Sequence, residues 1–506
     1  MNTVPTDAQS RIEKLLSDLL SGNTSNISPQ SRNEALLLGL INGDDPDITP
    51  VSRIECYLKA LCKKIANGTG GGGGSSSVSQ NDVNFYDYDG TLIASYTVAE
   101  VQALTALPDG PTHAGLTFQG WNYTLEKVKA FTRPMNVGAM YITDDGKTRL
   151  YIRIAAEGRM TIPLYFSQTV ANGVTIDWGD GSATQTLAGT GNVNTTHTYA
   201  SIGDYVITLD PVGGCTLGFG SDSSSYCVLG ENAGRNRVYC NMLQDVQIGN
   251  GVTKIGTYAF NDCSSLASIT IPDGVTSIGT YAFNDCYSLA SIAIPDGVTS
   301  IGSNTFYDCY SLASITIPDG VTSIGTYAFY SCYSLASIII PDGVTSIGTY
   351  AFNSCRSLAS ITIPDGVTSI GAYTFAACSS LASITIPDGV TSIGTYAFNG
   401  CYSLASITIP DGVTSIGRNT FFTCYSLASI TIPGGVKSIS GNNAFSNCYG
   451  MAEYHLKPTT PPTLSSNSFD NIQSNCIIYV PQGCLEAYQN ATNWATYASK
   501  MQEEPA

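Results

Sequence analysis

A unit of 23 residues repeats through the second half of the chain. Each copy follows the pattern CxSLASITIPDGVTSIGTYAFxx, and its cysteine recurs in register. A repeat of this length predicts a solenoid, in which each turn buries its apolar side chains against the turns before and after it. The register cysteines are Cys240, Cys263, Cys286, Cys309, Cys332, Cys355, Cys378, Cys401 and Cys424, with Cys448 one residue late.

Seven apolar positions per unit recur at spacings that predict three inward-facing edges per turn. In one unit they are Leu266, Ile269, Ile271, Val275, Ile278, Ala282 and Phe283. These residues resemble the BspA-like bacterial leucine-rich repeat family, and the ending from Lys457 resembles that family's C-terminal cap. The resemblance implies a leucine-rich-repeat solenoid over residues 240–455, closed by a cap over 456–506.

The register cysteines are predicted to be buried, reduced and structural. Stacked turns keep their parallel Cβ atoms about 4.8 Å apart, farther than an unstrained disulfide allows. No histidine or second cysteine lies at a spacing typical of metal ligands. Disulfides and a metal remain alternatives, but no metal and no cofactor is predicted.

Sequence variation among the repeats is concentrated at positions flanking the cysteine and following Ile-Gly. Because core positions tolerate little variation, these side chains are predicted to point outward. They are rich in Tyr, Asn and Ser, the composition of recognition surfaces. The alternative is that the tyrosines stack along the turns for structural reasons alone. The candidate ligand-binding residues are Tyr258, Tyr281, Tyr287, Tyr310, Tyr327, Tyr333, Tyr350, Tyr373, Tyr396, Tyr402 and Tyr425.

The N-terminal residues 1–67 contain three Ser-Arg-x-Glu segments, starting at Ser10, Ser31 and Ser52. Ser followed three residues later by Glu is a capping box, so each segment predicts the start of a short helix. Residues 68–80 are a flexible Gly/Ser linker. The Ser-Arg-x-Glu segments resemble head-fibre and tail-associated phage proteins, which implies contact with a phage capsid or tail protein. A small helical bundle without a partner is the alternative.

Residues 81–135 combine Asp-Gly turns with alternating apolar positions, a pattern that predicts strands and hairpins. Their ending resembles that of the Listeria-Bacteroides repeat, which implies a β-grasp-like spacer. The residues that carry this resemblance are Gly115, Phe118, Gly120 and Trp121.

Residues 136–211 resemble the polycystic-kidney-disease-type immunoglobulin-like domain, which implies a β-sandwich with a spacer or contact role. Residues 212–239 are predicted to lead into the solenoid. Asp177, Asp180 and Asp204 are predicted to be turn residues instead of metal ligands. The matching residues are Trp178, Gly179, Asp180, Gly181, His197, Tyr199, Gly203 and Tyr205.

Charge and composition exclude several classes of function. A net charge of −17 with only 22 basic residues argues against binding nucleic acid. No apolar run approaches the length of about 18 residues that membrane insertion needs. The first residues have no signal-peptide pattern, so the chain is predicted to be made in the cytoplasm. The three histidines fall in different modules and form no catalytic group, which predicts a protein that is not an enzyme.

The predicted fold is multi-domain and mainly β: a small helical N-terminal module, a β-grasp-like spacer, an immunoglobulin-like β-sandwich and a capped solenoid. Together with the absence of a leader, this order predicts a non-enzymatic display protein on the virion surface of a phage or prophage. Its solenoid would attach to a host surface protein or polysaccharide, and a homo-oligomer is left open. The alternatives are a BspA-like adhesin at the bacterial cell surface, binding protein or glycan, and an intracellular scaffold.

Overall fold

The structure, a computed structural model, describes residues 82–505 with several gaps. The predicted helical module (1–67) and linker (68–80) lie outside the described residues. Within the described part of the chain, no helix is long and apolar enough to cross a membrane. The gaps are residues 88–91, 114–115, 122–124, 131–134, 144, 221–226 and 231–236.

A four-stranded sheet begins the described chain, with the strand order β2-β1-β4-β3. Its central strands β1 and β4 are parallel, and both outer strands are antiparallel to their neighbours. The predicted module boundary at residue 135 cuts this sheet, because β4 extends to Thr143. Resemblance to the Listeria-Bacteroides repeat stays a prediction. The elements are β1 (Asp82–Tyr86), β2 (Leu92–Thr97), α1 (Val98–Ala103), β3 (Leu116–Trp121), α2 (Leu125–Ala130) and β4 (Met135–Thr143).

Five further strands follow and form parts of two sheets. Strand β9 lies between β5 and β7 in one sheet, and β6 pairs with β8 in the other. The alternating residues Leu150, Ile152 and Ile154 of β5 are buried, as expected for a strand with one face on a core. Resemblance to the polycystic-kidney-disease-type domain stays a prediction. The strands are β5 (Thr148–Ile154), β6 (Thr161–Gln168), β7 (Val174–Asp177), β8 (Gly191–Thr198) and β9 (Gly203–Pro211).

Two aspartates of this region stabilise turns and a third forms an ion pair. Asp177 accepts a hydrogen bond from the amide of Gly179 (2.9 Å), and Asp180 accepts one from the amide of Ser182 (3.0 Å). The prediction that both are turn residues is therefore confirmed. Asp204 instead pairs across strands with Arg153 (2.8 Å).

Asp180 also gives this region a pH-dependent stability. Hydrogen bonds from Ser182 and then His197 lower the pKa of Asp180 from 3.8 to about 2. A lowered native pKa contributes stability above the unfolded value of ~4, which is lost as pH falls through about 2. We expect D180N to be less stable than the native chain above pH ~4 and equally stable near pH ~2. Urea unfolding across this range measures the difference, and a difference independent of pH would contradict the assignment.

The β5–β9 sheets continue directly into the solenoid. Strand β10 pairs antiparallel with β6 and parallel with β12, while β11 pairs antiparallel with β5 and parallel with the next solenoid strand. One hydrophobic core therefore extends from Leu150 to Met501. These sheets close the first turn of the solenoid. The entry elements are β10 (Leu217–Phe219), α3 (Arg237–Cys240), β11 (Leu243–Gln247) and β12 (Val252–Ile255).

Each solenoid turn contributes short strands that pair in parallel with the same residues one repeat later, as Ser291 does with Ser314 and Ser323 with Ser346. The predicted solenoid is thus confirmed. Its strands are β13 (Ser268–Thr270), β14 (Ser291–Ala293), β15 (Ser300–Ile301), β16 (Ser314–Thr316), β17 (Ser323–Ile324), β18 (Ser346–Ile347), β19 (Ser360–Thr362), β20 (Ser369–Ile370), β21 (Ser383–Thr385), β22 (Ser392–Ile393), β23 (Ser415–Ile416), β24 (Ser429–Ile432) and β25 (Ser438–Ile439).

The C-terminal residues close the far end of the stack. Trp494 is fully buried and donates from Nε1 to the carbonyl of Pro462 (2.7 Å), which fixes a short 3-10 helix, Trp494–Lys500, over the last turns. The last elements are β26 (Glu453–Leu456), β27 (Thr463–Leu464), β28 (Ile477–Val480), α4 (Leu485–Asn490) and β29 (Met501–Glu503).

The first sheet covers one face of the early turns. Strand β4 lies against β13, β14 and β16, and Ile339 packs against the core of the first sheet. The threonines of the covered strands are accordingly buried, as at Thr316, whereas the equivalent Thr385 and Thr431 are exposed. The same face is therefore open to solvent only in the later turns.

Candidate functional site

The ten predicted cysteines are buried, and the eight from Cys286 to Cys448 are free thiols. From Cys286 to Cys448, each Sγ donates to the backbone carbonyl of a phenylalanine in the preceding turn, at 3.1–3.3 Å. Burial raises the pKa of the Cys378 thiol to about 12. These thiols are satisfied and protonated, so they serve packing and not nucleophilic chemistry. Cys240 and Cys263 are arranged differently and are treated below.

Six of the candidate tyrosines occupy an unusual backbone conformation. Each precedes the Ala-Phe or Thr-Phe pair of its turn and has a positive φ between 57° and 61°. Asparagine occupies the equivalent position in three other turns, with φ between 55° and 64°. The tyrosines are Tyr258, Tyr281, Tyr327, Tyr350, Tyr373 and Tyr396, and the asparagines are Asn304, Asn419 and Asn443.

The left-handed conformation is unfavourable for a bulky residue and tolerated by asparagine. A tyrosine there stores backbone strain of about 1–2 kcal/mol that asparagine largely avoids. Six turns nevertheless carry the aromatic ring. Such strain at a repeated surface position is a reason to assign the ring a role of its own.

The inner tyrosine row consists of Tyr327, Tyr350, Tyr373 and Tyr396. Successive ring centroids lie 4.4–4.6 Å apart and the rings are nearly parallel. The guanidinium of Arg418 lies over the last ring, 5.8 Å from its centroid. All four side chains are half-buried. The row is continuous because no asparagine interrupts these four turns.

The outer tyrosine row consists of Tyr402, Tyr425 and Tyr449, each directly after a register cysteine. Their exposed fractions are 47%, 42% and 51%, and their ring centroids lie 4.9 and 5.5 Å apart. Sequence reasoning missed Tyr449, because the extra residue before Cys448 hides it from a strict 23-residue count. Its position immediately after the cysteine was the available signal.

Earlier turns carry a second stack at the position after the cysteine. Tyr287, Tyr310 and Tyr333 stack at 4.9 and 4.7 Å, and Arg356 lies over Tyr333 at 4.5 Å. Tyr310 is only 3% exposed. The surface available to a large ligand at this position is therefore the outer tyrosine row. The isolated pair Tyr258 and Tyr281 stacks at 4.8 Å.

Stacking determines what the rows can bind. A ring between two neighbours has both faces occupied, so a ligand meets ring edges and phenolic hydroxyl groups. These groups recur about once per turn along each row. A row of this kind suits a ligand that repeats its own hydrogen-bonding groups along its length. Among the described residues, the end rings of the outer row, Tyr402 and Tyr449, have a stacked ring on one face only.

We expect Y350N to change the free energy of unfolding by less than ~1 kcal/mol. Loss of two ring stacks, worth ~0.5–1.5 kcal/mol each, is offset by relief of backbone strain at a position where other turns already use asparagine. Y350A loses the same stacks and keeps the strain, so it should be less stable than Y350N. Urea unfolding followed by circular dichroism compares them, and equal losses would show that the backbone strain is negligible.

Comparisons with known proteins concern the repeats. Residues 234–359 and 345–477 match the family model described as "BspA type Leucine rich repeat region", in six copies. No curated protein matches the chain.

Three solved structures are similar in sequence to parts of the chain. A leucine-rich repeat protein from Bacteroides ovatus is 30% identical over 46% of this chain and 70% of its own, with a TM-score of 0.35. A leucine rich cell surface protein from Faecalibacterium prausnitzii is 31% identical over 50% and 84%, with a TM-score of 0.32. A T. pallidum leucine-rich repeat protein is 32% identical over 38% and 82%, with a TM-score of 0.30.

Proposed function

We propose that the protein is a non-enzymatic adhesin of a bacterial cell surface. Its repeat region belongs to the BspA-type leucine-rich repeat family. The F. prausnitzii protein is itself described as a cell surface protein. A solenoid closed at both ends offers a stiff, extended surface, which suits recognition better than catalysis.

The virion-display function expected from the N-terminal segment has no support in these comparisons. Neither the matching family nor the three similar structures is described as a phage protein. The alternative interpretation, a BspA-like adhesin, fits better. The segment that suggested a virion lies outside the described residues.

The observation that carries the proposal is the outer tyrosine row, three stacked and exposed rings on one line of the solenoid. Monomeric proteins seldom expose contiguous apolar area without a binding role. Tyrosine is enriched at recognition surfaces because its large ring loses little conformational entropy on binding.

We propose an uncharged surface polysaccharide as the ligand. Its repeating hydroxyl groups would pair with the phenolic hydroxyls, which recur at nearly constant spacing. The Pro-Asp-Gly turns add a line of exposed carboxylates, and the net charge of −17 disfavours a polyanion. The carboxylates are Asp273, Asp296, Asp319, Asp342, Asp365, Asp388 and Asp411.

Binding of the labelled full chain to bacterial cells and to a glycan array tests this proposal. The combined variant Y402S, Y425S and Y449S uses serine, which already stands after the cysteine at Ser264 and Ser379. We expect it to lose at least ~10-fold in affinity, since aromatic anchors dominate binding energy at interfaces.

Y281N is the matched control, because Tyr281 belongs to the separate Tyr258 pair and asparagine is native at its position in other turns. It should bind like the native chain. Unchanged binding by the triple serine variant would remove the outer tyrosine row as the site. Binding to a surface protein and to no glycan would keep the adhesin and overturn the polysaccharide.

A further inference from the structure

Three cysteines meet where the β5–β9 sheets join the solenoid. Cys227, Cys240 and Cys263 are each at most 3% exposed, and their Sγ atoms all lie within 4.8 Å of one another. The sulfur atoms of Cys227 and Cys240 are 2.7 Å apart, and those of Cys227 and Cys263 are 3.7 Å apart. Cys227 stands outside the 23-residue register, so the repeat does not account for it.

The backbone around Cys227 is held from two sides. The amide of Val228 donates to Ala259 in the solenoid (2.8 Å), and its carbonyl accepts from the amide of Tyr165 in β6 (2.9 Å). Cys240 ends α3, and β11, which begins at Leu243, is itself paired with β5. Two well-anchored segments therefore bring the two sulfur atoms closer than unbonded sulfur atoms ordinarily approach.

The arrangement differs from that of the cysteines from Cys286 to Cys448. There, each thiol donates to a phenylalanine carbonyl one turn earlier, whereas Cys240 donates to the sulfur of Cys227. A metal held by both sulfurs at ~2.3 Å each would keep them well over 3 Å apart. The short separation favours a direct sulfur–sulfur bond, which needs a further approach of only about 0.7 Å.

We propose that Cys227 and Cys240 form a disulfide in the mature protein, which covalently fastens the entry segment to the first turn of the solenoid. Cys263 stays a thiol beside it. Burial raises the pKa of the Cys263 thiol, so the protonated form persists and does not exchange with the bond. This inference does not depend on the identity of the surface ligand.

The bond forms by thiol–disulfide exchange with an oxidising disulfide of the glutathione class, before folding buries the three sulfurs. One cysteine thiolate attacks the oxidant and expels a first glutathione thiolate. The second cysteine thiolate then attacks the mixed disulfide and expels another. Each cysteine loses one electron and one proton, and the oxidising disulfide is reduced to two glutathione thiols.

Refolding of the full chain in a glutathione redox buffer tests the proposal. After denaturation without reductant and alkylation, we expect two of the 16 cysteines to escape modification and a linked peptide to contain Cys227 and Cys240. Reductant should lower the melting temperature of the native chain by about 2–4 °C. Reductant should leave the melting temperature of C227S unchanged. The control C309S, which changes a register cysteine away from the three-cysteine cluster, should respond to reductant like the native chain.

Three results would overturn the proposal. Alkylation of all 16 cysteines would show that the bond does not form. A Cys227–Cys263 link would show the wrong pairing. One equivalent of tightly bound zinc or copper(I) in the purified chain would assign the three sulfurs to a metal instead. Peptide mapping needs only the native chain, so the test remains decisive if C227S fails to fold.

Discussion

Replacing Phe352 by alanine is expected to lower the free energy of unfolding by ~3–5 kcal/mol. The ring is fully buried and stacks between Phe329 at 5.3 Å and Phe375 at 5.7 Å. Its removal leaves a cavity that neighbouring rings cannot fill, since each is fixed by its own turn. The carbonyl of Phe352 still accepts a hydrogen bond from Cys378 in the variant, so the loss of stability measures ring packing and not the loss of that hydrogen bond.

Urea unfolding followed by circular dichroism measures this effect, and Y350N two residues earlier is its control. The control changes an aromatic residue in the same turn on the half-buried side, where we expect less than ~1 kcal/mol. A loss below ~1 kcal/mol for F352A would show that the phenylalanine stack is not what holds adjacent turns together.

Gly348→Ala is expected to destabilise the chain by about 3 kcal/mol, at the upper end of the usual range for overpacking. An added Cβ would lie under 3.0 Å from the backbone of Thr326 and Gly325 in the preceding turn. Backbone atoms cannot swing aside, so the two turns must separate. Separation breaks the hydrogen bond from the Gly348 amide to Ile324 (2.9 Å).

Gly371→Ala is the matched control for this effect. The residue holds the same repeat position, but an added Cβ would lie 3.2 Å from side-chain atoms of Thr349 and Thr374 and 3.3 Å from the Cα of Thr349, farther than the backbone atoms that it would meet at Gly348. Contacts of this length require smaller shifts of the neighbouring turn than those at Gly348. Thermal unfolding of the two variants should separate them clearly, and equal losses would contradict the steric explanation.

The solenoid could be predicted because the sequence pattern that specifies each turn lies within one unit and is repeated in the next. Each unit carries its own apolar positions, and one register fixes all of them, as the stacked Phe329 and Phe352 show. Variation between units drew attention to the tyrosines, but it did not separate exposed from buried positions, since Asp308 and Thr374 stand at variable positions and are buried. Exposure of each tyrosine could not be predicted, because the burial of Tyr310 depends on the surroundings of one turn and not on the repeat.

Contacts between segments distant in the sequence could not be predicted, for a physical reason. Nothing in the sequence of β5 specifies that β11, nearly a hundred residues later, is its partner. The contact between Cys227 and Cys240 depends on that pairing, so it could not be predicted from the sequence either. The positive φ at Tyr350 is likewise set by the backbone path of the solenoid turn. Asparagine replaces tyrosine at this position in other turns, and this exchange was a sequence signal for the positive φ.

The pairing of β5 with β11 has a mechanical consequence. If an adhering cell pulls on the solenoid, tension passes into the β5–β9 sheets through hydrogen-bonded strands and a shared apolar core. The strands there are antiparallel, and load along their length must shear several bonds at once. The junction therefore resists extension when the solenoid is pulled.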